Sequence, residues 1–256
     1  MPNLLPVADL LTGTESPVEW LIEPLLPRRS CVLLAGQEGA GKSYFAYTVA
    51  VGLATGSNVL SWPTQPASVL YFDQENGWPD CVQYLRWAWH GLSCPSLELV
   101  KANLHIAHFQ LGGRDWAEHS KVLVQETQPA LIIFDTATPC FGLKDENDNA
   151  EATTSINQIR ALCGLSGASA LILKHAKVQH EGKAGYSIRG AKAWGGAVDS
   201  VVFHVRKAGH PRLDGLANTH LEPTKTRAFG LRQGVKIMPE WTPDKKGLRL
   251  QSPLSS

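Results

Sequence analysis

The sequence lacks an excess of charge of either sign. It holds 24 Lys and Arg residues against 23 Asp and Glu residues, a formal net charge of +1. This near-neutral balance excludes a protein whose whole surface attracts polyanions, because such a field needs a large surplus of one charge. Any contact with nucleic acid must therefore be local.

Cysteine is scarce, and unbroken apolar stretches are short. The five cysteines are odd in number, widely spaced and without a CxxC pair. This pattern predicts reduced core cysteines rather than a zinc or redox site. No apolar run approaches the length that crosses a bilayer, and the N-terminus lacks the basic start and apolar stretch of a secretion signal. We therefore expect a cytoplasmic protein without membrane association.

The length and composition are sufficient for one substantial core. The chain has 256 residues, of which 43% are hydrophobic. We predict one domain over residues 30–238, preceded by an approach segment over 1–29. Proline and polar residues dominate from residue 239 onward, which predicts a C-terminal tail over 239–256 consisting of a short hairpin and a frayed end.

Short apolar runs alternate with segments of helical spacing along the chain. The runs are continuous rather than alternating, which is typical of strands buried on both faces; they lie at 31–35, 69–72, 131–134, 170–173 and 200–203. The helical segments between them lie at 43–54, 79–90 and 150–165. We predict an α/β fold with a mostly parallel central sheet and helices on both faces. The tryptophans between Trp78 and Trp89 fit either core packing or a platform for base stacking.

The most informative motif is a P-loop. An apolar run leads into an octapeptide that fits the phosphate-binding pattern at every position: Gly36, Gln37, Glu38, Gly39, Ala40, Gly41, Lys42 and Ser43, with Tyr44 next. Glycines let backbone N–H groups converge on phosphate, Lys42 reaches the β- and γ-phosphates, and the Ser43 hydroxyl holds Mg²⁺ at a helix N-terminus. We assign these nine residues to the binding of ATP, with Mg²⁺ as the accompanying metal.

Carboxylates follow two other buried strands. Asp135 ends the run at 131–134 and is the second residue expected on the Mg²⁺ side. Asp73 and Glu75 follow the run at 69–72 at alternate positions, so both project to the same side of the strand end. We predict that Glu75 polarises the attacking water and that Asp73 is structural. A surface acidic turn is the alternative.

The order of these motifs, followed by Lys174 and His175 after the run at 170–173, resembles the RecA-like ATPases and, among them, the RepA-like hexameric helicases. The resemblance covers about residues 17–230. It implies that Glu75 is the catalytic base and that His175 senses the γ-phosphate. A hydrogen-bonded structural histidine is the other interpretation of His175. Some relatives carry paired histidines here, whereas this chain has Lys174 at the first position.

Two cations near the end of the core, Lys225 and Arg227, resemble the Lys-x-Arg element that ring-forming RecA-like motors insert into a neighbour's active site. A guanidinium placed on developing γ-phosphate charge accelerates hydrolysis by several orders of magnitude. This role requires a partner subunit and implies a homo-oligomeric ring, which we expect to be hexameric. A charged exposed edge strand is the alternative.

A basic, glycine-punctuated segment follows His175 and is a candidate for single-stranded DNA. Its predicted contacts are Lys177, Lys183, Arg189 and Lys192. A flexible cationic segment beside a γ-phosphate sensor suits nucleotide-dependent gripping of a phosphate backbone, and the corresponding loops of RecA-like motors hold DNA. A solvated basic loop, or one that only closes over nucleotide, is the alternative.

Together these features predict a Mg²⁺-dependent ATPase that acts as a single-stranded DNA motor, a helicase, in replication or repair, with other proteins of those processes as possible partners. An ATP-switched regulator or assembly protein of the same fold is the competing function. A small-molecule kinase is disfavoured, because Glu75 offers a base for water and the sequence shows no arginine-rich lid.

Overall fold

The computed structural model describes residues 18–108, 116–178, 186–188, 192–206, 217–227 and 230–253. The elements within these ranges are β1 (Trp20–Ile22), β2 (Leu26–Pro27), β3 (Cys31–Gly36), α1 (Lys42–Thr55), β4 (Val69–Asp73), α2 (Trp78–Gly91), α3 (Leu97–Asn103), β5 (Leu104–Ala107), α4 (Trp116–Thr127), β6 (Leu131–Asp135), α5 (Ala137–Phe141), α6 (Asn149–Ser166), β7 (Ser169–Val178), β8 (Tyr186–Ile188), α7 (Ala193–Ala197), β9 (Ser200–Arg206), β10 (Thr219–Thr226), β11 (Val235–Trp241) and β12 (Leu248–Gln251).

The centre of the molecule is a ten-stranded sheet. Its strand order is β12-β11-β10-β9-β3-β7-β6-β4-β5, and β8 pairs with β7. The strands from β9 to β5 run parallel, while β10, β11 and β12 extend the sheet as antiparallel strands. The five apolar runs correspond to β3, β4, β6, β7 and β9, so the predicted α/β fold with a mostly parallel sheet is confirmed.

Helices cover both faces of this sheet. Alternate residues of each central strand point to opposite layers, as the strand repeat requires. Leu33 packs in the layer that contains α4, α5, α6 and α7, whereas Val32 and Leu34 pack in the layer that contains α1 and α2. All three side chains have no measurable exposure. Burial on both faces explains why these strands are continuously apolar.

Both predicted flanking segments contribute to the domain. On the N-terminal side, β1 and β2 form a hairpin whose Ile22 and Leu26 are fully buried in the core, although residues 1–17 of the approach segment lie outside the described residues. On the C-terminal side, the boundary predicted at residue 239 falls inside β11, where Pro239 pairs with Leu250 of β12. A hairpin is present here, but it consists of β11 and β12, begins at Val235 and extends the main sheet.

Two expectations about side-chain placement hold only in part. Four cysteines are buried, but Cys94 is exposed in the turn that follows α2. Among the tryptophans of α2, Trp87 packs against Tyr44 and Trp241, as core packing predicts, whereas Trp78 is 56% exposed at the first turn. In the described part of the chain, no helix combines the length and apolarity needed to cross a membrane.

Candidate nucleotide-binding site

The loop between β3 and α1 has a conformation that requires glycine at three positions. Gly39 and Gly41 have φ angles of 70° and 89°, in the left-handed region that favours glycine. At Gly36, a Cβ atom would lie 2.4 Å from the carbonyl oxygen of His204 on the adjacent strand β9. These three glycines let the loop turn sharply and pack against β9 while its backbone N–H groups stay free of side chains.

Lys42 is the first residue of α1, and its ammonium group lies inside the loop. Its Nζ donates to the carbonyl oxygens of Gly36, at 3.0 Å, and Gln37, at 2.9 Å. The residue is only 6% exposed. A buried cation beside a helix N-terminus is a strong attractor for phosphate, because the helix dipole and the ammonium charge act in the same direction.

The other residues of the predicted nucleotide-binding set occupy different environments. Ala40 is buried, whereas Glu38 is exposed. Tyr44 is buried against Trp87 on the side of the C-terminal hairpin, and its hydroxyl donates to the carbonyl oxygen of Leu248. Tyr44 therefore links the start of α1 to β12 rather than pointing towards the loop.

Asp135, at the end of β6, lies beside Ser43. Its Oδ2 atom accepts from the Tyr71 hydroxyl at 2.8 Å, whereas Oδ1 accepts no hydrogen bond from any described residue. Burial, and then the nearby Asp73 carboxylate, raise the pKa of Asp135 to about 7, and the Tyr71 and Ser43 hydroxyls oppose this rise. A buried carboxylate with an unused oxygen, next to a hydroxyl, fits a hydrated divalent cation, which would favour its ionised form.

Asp73 holds the turn after β4 in place. Its carboxylate accepts from the Tyr47 hydroxyl at 2.9 Å and from the Asn76 side-chain amide at 3.0 and 3.1 Å. It also accepts from the backbone N–H of Glu75 at 3.3 Å. With its oxygens engaged in this way, Asp73 positions the next carboxylate along the chain.

Glu75 and His175 form a pair in the structure. Glu75 Oε1 lies 3.2 Å from His175 Nε2, and the Glu75 side chain is 35% exposed. The hydrogen bond from His175 is the main cause that lowers the pKa of the Glu75 carboxyl, and partial burial opposes this effect. The carboxylate is thus ionised and about one third exposed to solvent, which suits a group that orients a water molecule.

Strand pairing explains why these residues converge. Gly36 is the register partner of His175 across β3 and β7, and Asp73 is the partner of Asp135 across β4 and β6. The carboxyl ends of all four parallel strands therefore meet at one edge of the sheet, where open α/β sheets bind their ligands. Lys174 points to the other face, with its Nζ 5.3 Å from the ring centre of Trp194.

Comparison with known proteins agrees with this geometry. A family model described as an AAA domain matches residues 2–181, more than two thirds of the chain. The chain belongs to this AAA domain family. It is a P-loop ATPase domain, and the match includes Lys42, Glu75, Asp135 and His175. A comparison with curated proteins found no significant match.

In this AAA domain, Arg227 lies near the amino-terminal ends of the parallel strands, whereas the P-loop lies at their carboxyl-terminal ends. It follows β10, is 53% exposed, and places one guanidinium nitrogen 3.3 Å from Asp199 Oδ1. Asp199 Oδ2 in turn accepts from the backbone N–H of Cys31, the first residue of β3. Because β3 ends at Gly36, five strand steps of about 3.3 Å, roughly 16 Å, separate the two edges.

Lys225 is engaged by carbonyl groups of its own chain. Its Nζ donates to the carbonyl oxygens of Gly195, Gly196 and Val198, at 2.8, 2.8 and 2.6 Å. These carbonyls belong to the C-terminal turn of α7, where a cation is favourable because of the exposed carbonyl groups. Lys225 therefore anchors α7 to β10, a contact that the Lys-x-Arg spacing does not indicate.

The predicted DNA contacts are described only in part. Lys183 and Arg189 lie outside the described residues. The backbone of Lys177 in β7 pairs with that of Ser187 in β8. Lys192 is exposed immediately before α7. The strand β8 was not predicted, since a three-residue strand between glycines carries no clear apolar repeat.

Proposed function

We propose that this AAA domain is a Mg²⁺-dependent ATPase that assembles into a ring and acts on single-stranded DNA. The observation that carries the hydrolytic part is the Glu75–His175 pair, 3.2 Å apart at the strand edge that also holds the P-loop. A carboxylate in this place has a direct task in hydrolysis, because water is the nucleophile and must be oriented towards the γ-phosphate.

Each residue then has a distinct role. Lys42 and the loop N–H groups would bind the β- and γ-phosphates, and Ser43 with Asp135 would hold a hydrated Mg²⁺. When bound, this cation would supply positive charge to offset the charge that develops on the phosphates. Glu75 orients and polarises the attacking water. His175, whose Nε2 lies 3.2 Å from this carboxylate, would sense the γ-phosphate and transmit its presence to Glu75.

The proposal of a ring is supported by the position of Arg227. Its guanidinium is at the amino edge of the parallel strands, far from the P-loop of its own chain, so a role at a γ-phosphate would require the site of another subunit. In a head-to-tail assembly, the amino edge of one sheet packs against the carboxyl edge of the next. Such subunits form a ring when the rotations between neighbours add up to a full turn. We assign to Arg227 the stabilisation of the negative charge that develops on a neighbouring subunit's γ-phosphate. We assign to Lys225 the anchoring of α7 to β10.

The DNA part of the proposal is supported by chain order. The basic segment begins two residues after His175 and ends at Lys192, so a change at the γ-phosphate is transmitted through β7 to the residues that would grip DNA. The competing function, an ATP-switched regulator, uses the same site with a protein in place of DNA. The resemblance of the motifs to those of the RepA-like helicases is what favours the motor.

Two substitutions test the hydrolytic site. Lys42→Ala abolishes ATP binding, whereas Glu75→Gln retains binding and lowers turnover by about 10² to 10⁴-fold, because only the water-activating step is removed. Titration calorimetry measures binding, and phosphate release measures turnover. Glu98→Gln, at an exposed carboxylate paired with Lys101 on the surface, is the matched control with unchanged turnover. Near-normal turnover in Glu75→Gln would show that another group activates water.

The assembly and the DNA substrate are tested on the unmodified protein. Native mass measurement with ATP, with and without oligo-dT, is expected to show a hexamer that binds the strand. Oligo-dT is expected to stimulate ATP hydrolysis, with an affinity that falls as salt rises. A hydrolytically active protein that neither binds nor responds to oligo-dT would favour the regulator.

A further inference from the structure

Three cations lie around the Asp199 carboxylate at the amino edge of the parallel strands. Asp199 Oδ1 is 3.3 Å from Arg227 Nη1 and 3.4 Å from Arg160 Nη2. Lys225 is close enough that burial, then the charge of Arg227 and, to a smaller extent, that of Arg160 lower the pKa of its ammonium group. One carboxylate does not neutralise three cations, so this cluster carries a surplus of positive charge that favours an added anion.

Lys225 has no donor left for such an anion. An ammonium group carries three N–H donors. The Lys225 ammonium makes three hydrogen bonds, to the carbonyl oxygens of Gly195, Gly196 and Val198. A phosphate oxygen could bind only if one of these bonds broke, which would loosen the end of α7. The lysine of the Lys-x-Arg spacing therefore has a structural task in this chain.

Arg160, by contrast, is accessible and has donors to spare. It projects from α6, and its side chain is 43% exposed. Both of its hydrogen bonds within the described residues use Nη2, one to the carbonyl oxygen of Ala197 at 2.7 Å and one to Asp199. A guanidinium also carries N–H donors on Nε and Nη1, and these remain available for a ligand.

The backbone around Asp199 holds the two arginines side by side. Asp199 Oδ2 accepts from the N–H of Cys31 at 2.8 Å, and the Asp199 N–H donates to the Cys31 carbonyl oxygen at 2.9 Å. The Arg227 N–H donates to the Asp199 carbonyl oxygen at 3.1 Å. Because one fixed carboxylate oxygen contacts both guanidinium groups, Arg160 and Arg227 form a pair at the exposed amino edge.

We propose that Arg160 is the second cation that a subunit presents to the γ-phosphate of its neighbour, beside Arg227 and in place of Lys225. This inference rests on the proposed ring-forming ATPase. During hydrolysis, water adds to the γ-phosphorus as the bond to the bridging oxygen breaks, a proton of the water passes to solvent, and the arginines exchange no proton. Negative charge spreads over three oxygens of the transferred group, so two adjacent guanidinium groups can bind different oxygens. Guanidinium also remains charged and matches phosphate geometry.

Steady-state ATP hydrolysis by Arg160→Ala, Arg227→Ala and the double variant tests the pair. We expect each single substitution to lower kcat at least about tenfold and to change the KM for ATP less than about threefold, because the charge develops only in the transition state. The double variant is expected to be at least about tenfold slower than Arg227→Ala. Arg86→Ala, at an exposed arginine of α2, is the matched control with unchanged kcat.

A structural role of Arg160 gives a different result. If Arg160 only supports α7 or Arg227, the double variant is no slower than Arg227→Ala, and the inference is overturned. Calorimetric binding of ATP shows that each variant has folded, because the substituted residues lie away from their own P-loop. Arg160→Gln, which keeps a side-chain donor for Ala197, replaces Arg160→Ala in the kinetics if the alanine variant does not bind ATP.

Mixed assemblies separate action in the neighbouring site from action in the same chain. Arg160→Ala subunits mixed with Lys42→Ala subunits are expected to regain part of the hydrolysis, because intact P-loops then meet intact Arg160 side chains. If mixed rings show no gain, Arg160 serves its own chain and the inference is overturned. If only Arg227→Ala loses turnover, this inference fails while the ring ATPase stands. If the unmodified protein neither assembles nor hydrolyses ATP, the proposed function itself fails.

Discussion

The packing of the C-terminal hairpin against α2 depends on a glycine, and this dependence gives a quantitative prediction. Gly91 is the last residue of α2. A Cβ atom there would lie 2.2 Å from the carbonyl oxygen of Leu248 and 2.8 Å from its carbonyl carbon. Ordinary contact begins at 3.4 Å, so the β12 backbone would have to move by about 1 Å. Gly91→Ala therefore displaces the hairpin.

The expected magnitude follows from two opposing effects. Overpacking of this size destabilises a protein by roughly 1–3 kcal/mol, and the displacement also disturbs the hydrogen bond from Tyr44 to Leu248. Replacement of a helical glycine by alanine returns roughly 0.5–1 kcal/mol through helix propensity. We expect the free energy of unfolding to fall by about 1–2 kcal/mol and the Tm to fall by several degrees.

Urea unfolding followed by tryptophan fluorescence measures this change, and Gly164→Ala is its matched control. Gly164 lies within α6, and a Cβ there would meet nothing within 4 Å. Its replacement is expected to raise the free energy of unfolding by roughly 0.5–1 kcal/mol through helix propensity alone. If Gly91→Ala is as stable as the unmodified protein, the close contact between α2 and β12 does not exist in solution.

Two further predictions concern the subunit interface and a buried histidine. Random mixing of equal amounts of Arg227→Ala and Lys42→Ala subunits is expected to restore some ATP hydrolysis. The reason is that about one interface in four then joins an intact P-loop to an intact arginine. If mixed rings form but release no phosphate, Arg227 does not act in the site of a neighbouring subunit. Burial, and then the charge of Lys42, lower the pKa of His204 to about 3. Its contribution to stability is therefore complete above about pH 6.5 and is lost by roughly 1.4 kcal/mol per pH unit as the pH falls towards 3. His204→Gln should flatten this part of the unfolding profile, and an unchanged slope would show that other groups cause it.

The sequence alone determined the features that depend on residues close together in the chain. The P-loop is recognisable because phosphate binding needs glycines, a lysine and a hydroxyl within one short turn. The central strands β3, β4, β6, β7 and β9 are recognisable because strands buried on both faces are continuously apolar. Asp135 and Glu75 could be selected because each comes at the end of such a strand, where a parallel sheet collects its functional side chains.

The tertiary structure decided which of these residues meet. The contact of Glu75 with His175 depends on the order in which the strands join the sheet, which no local pattern encodes. The antiparallel direction of β10 places Arg227 at the far edge, and the folding of α7 against β10 engages Lys225 with three carbonyl groups. The strands β11 and β12 are short and mix polar with apolar residues, so their apolar residues repeat only weakly along the sequence. Their place in the sheet and beside the P-loop therefore follows from long-range pairing. Local chemistry thus identifies the groups, and packing between distant segments determines their partners.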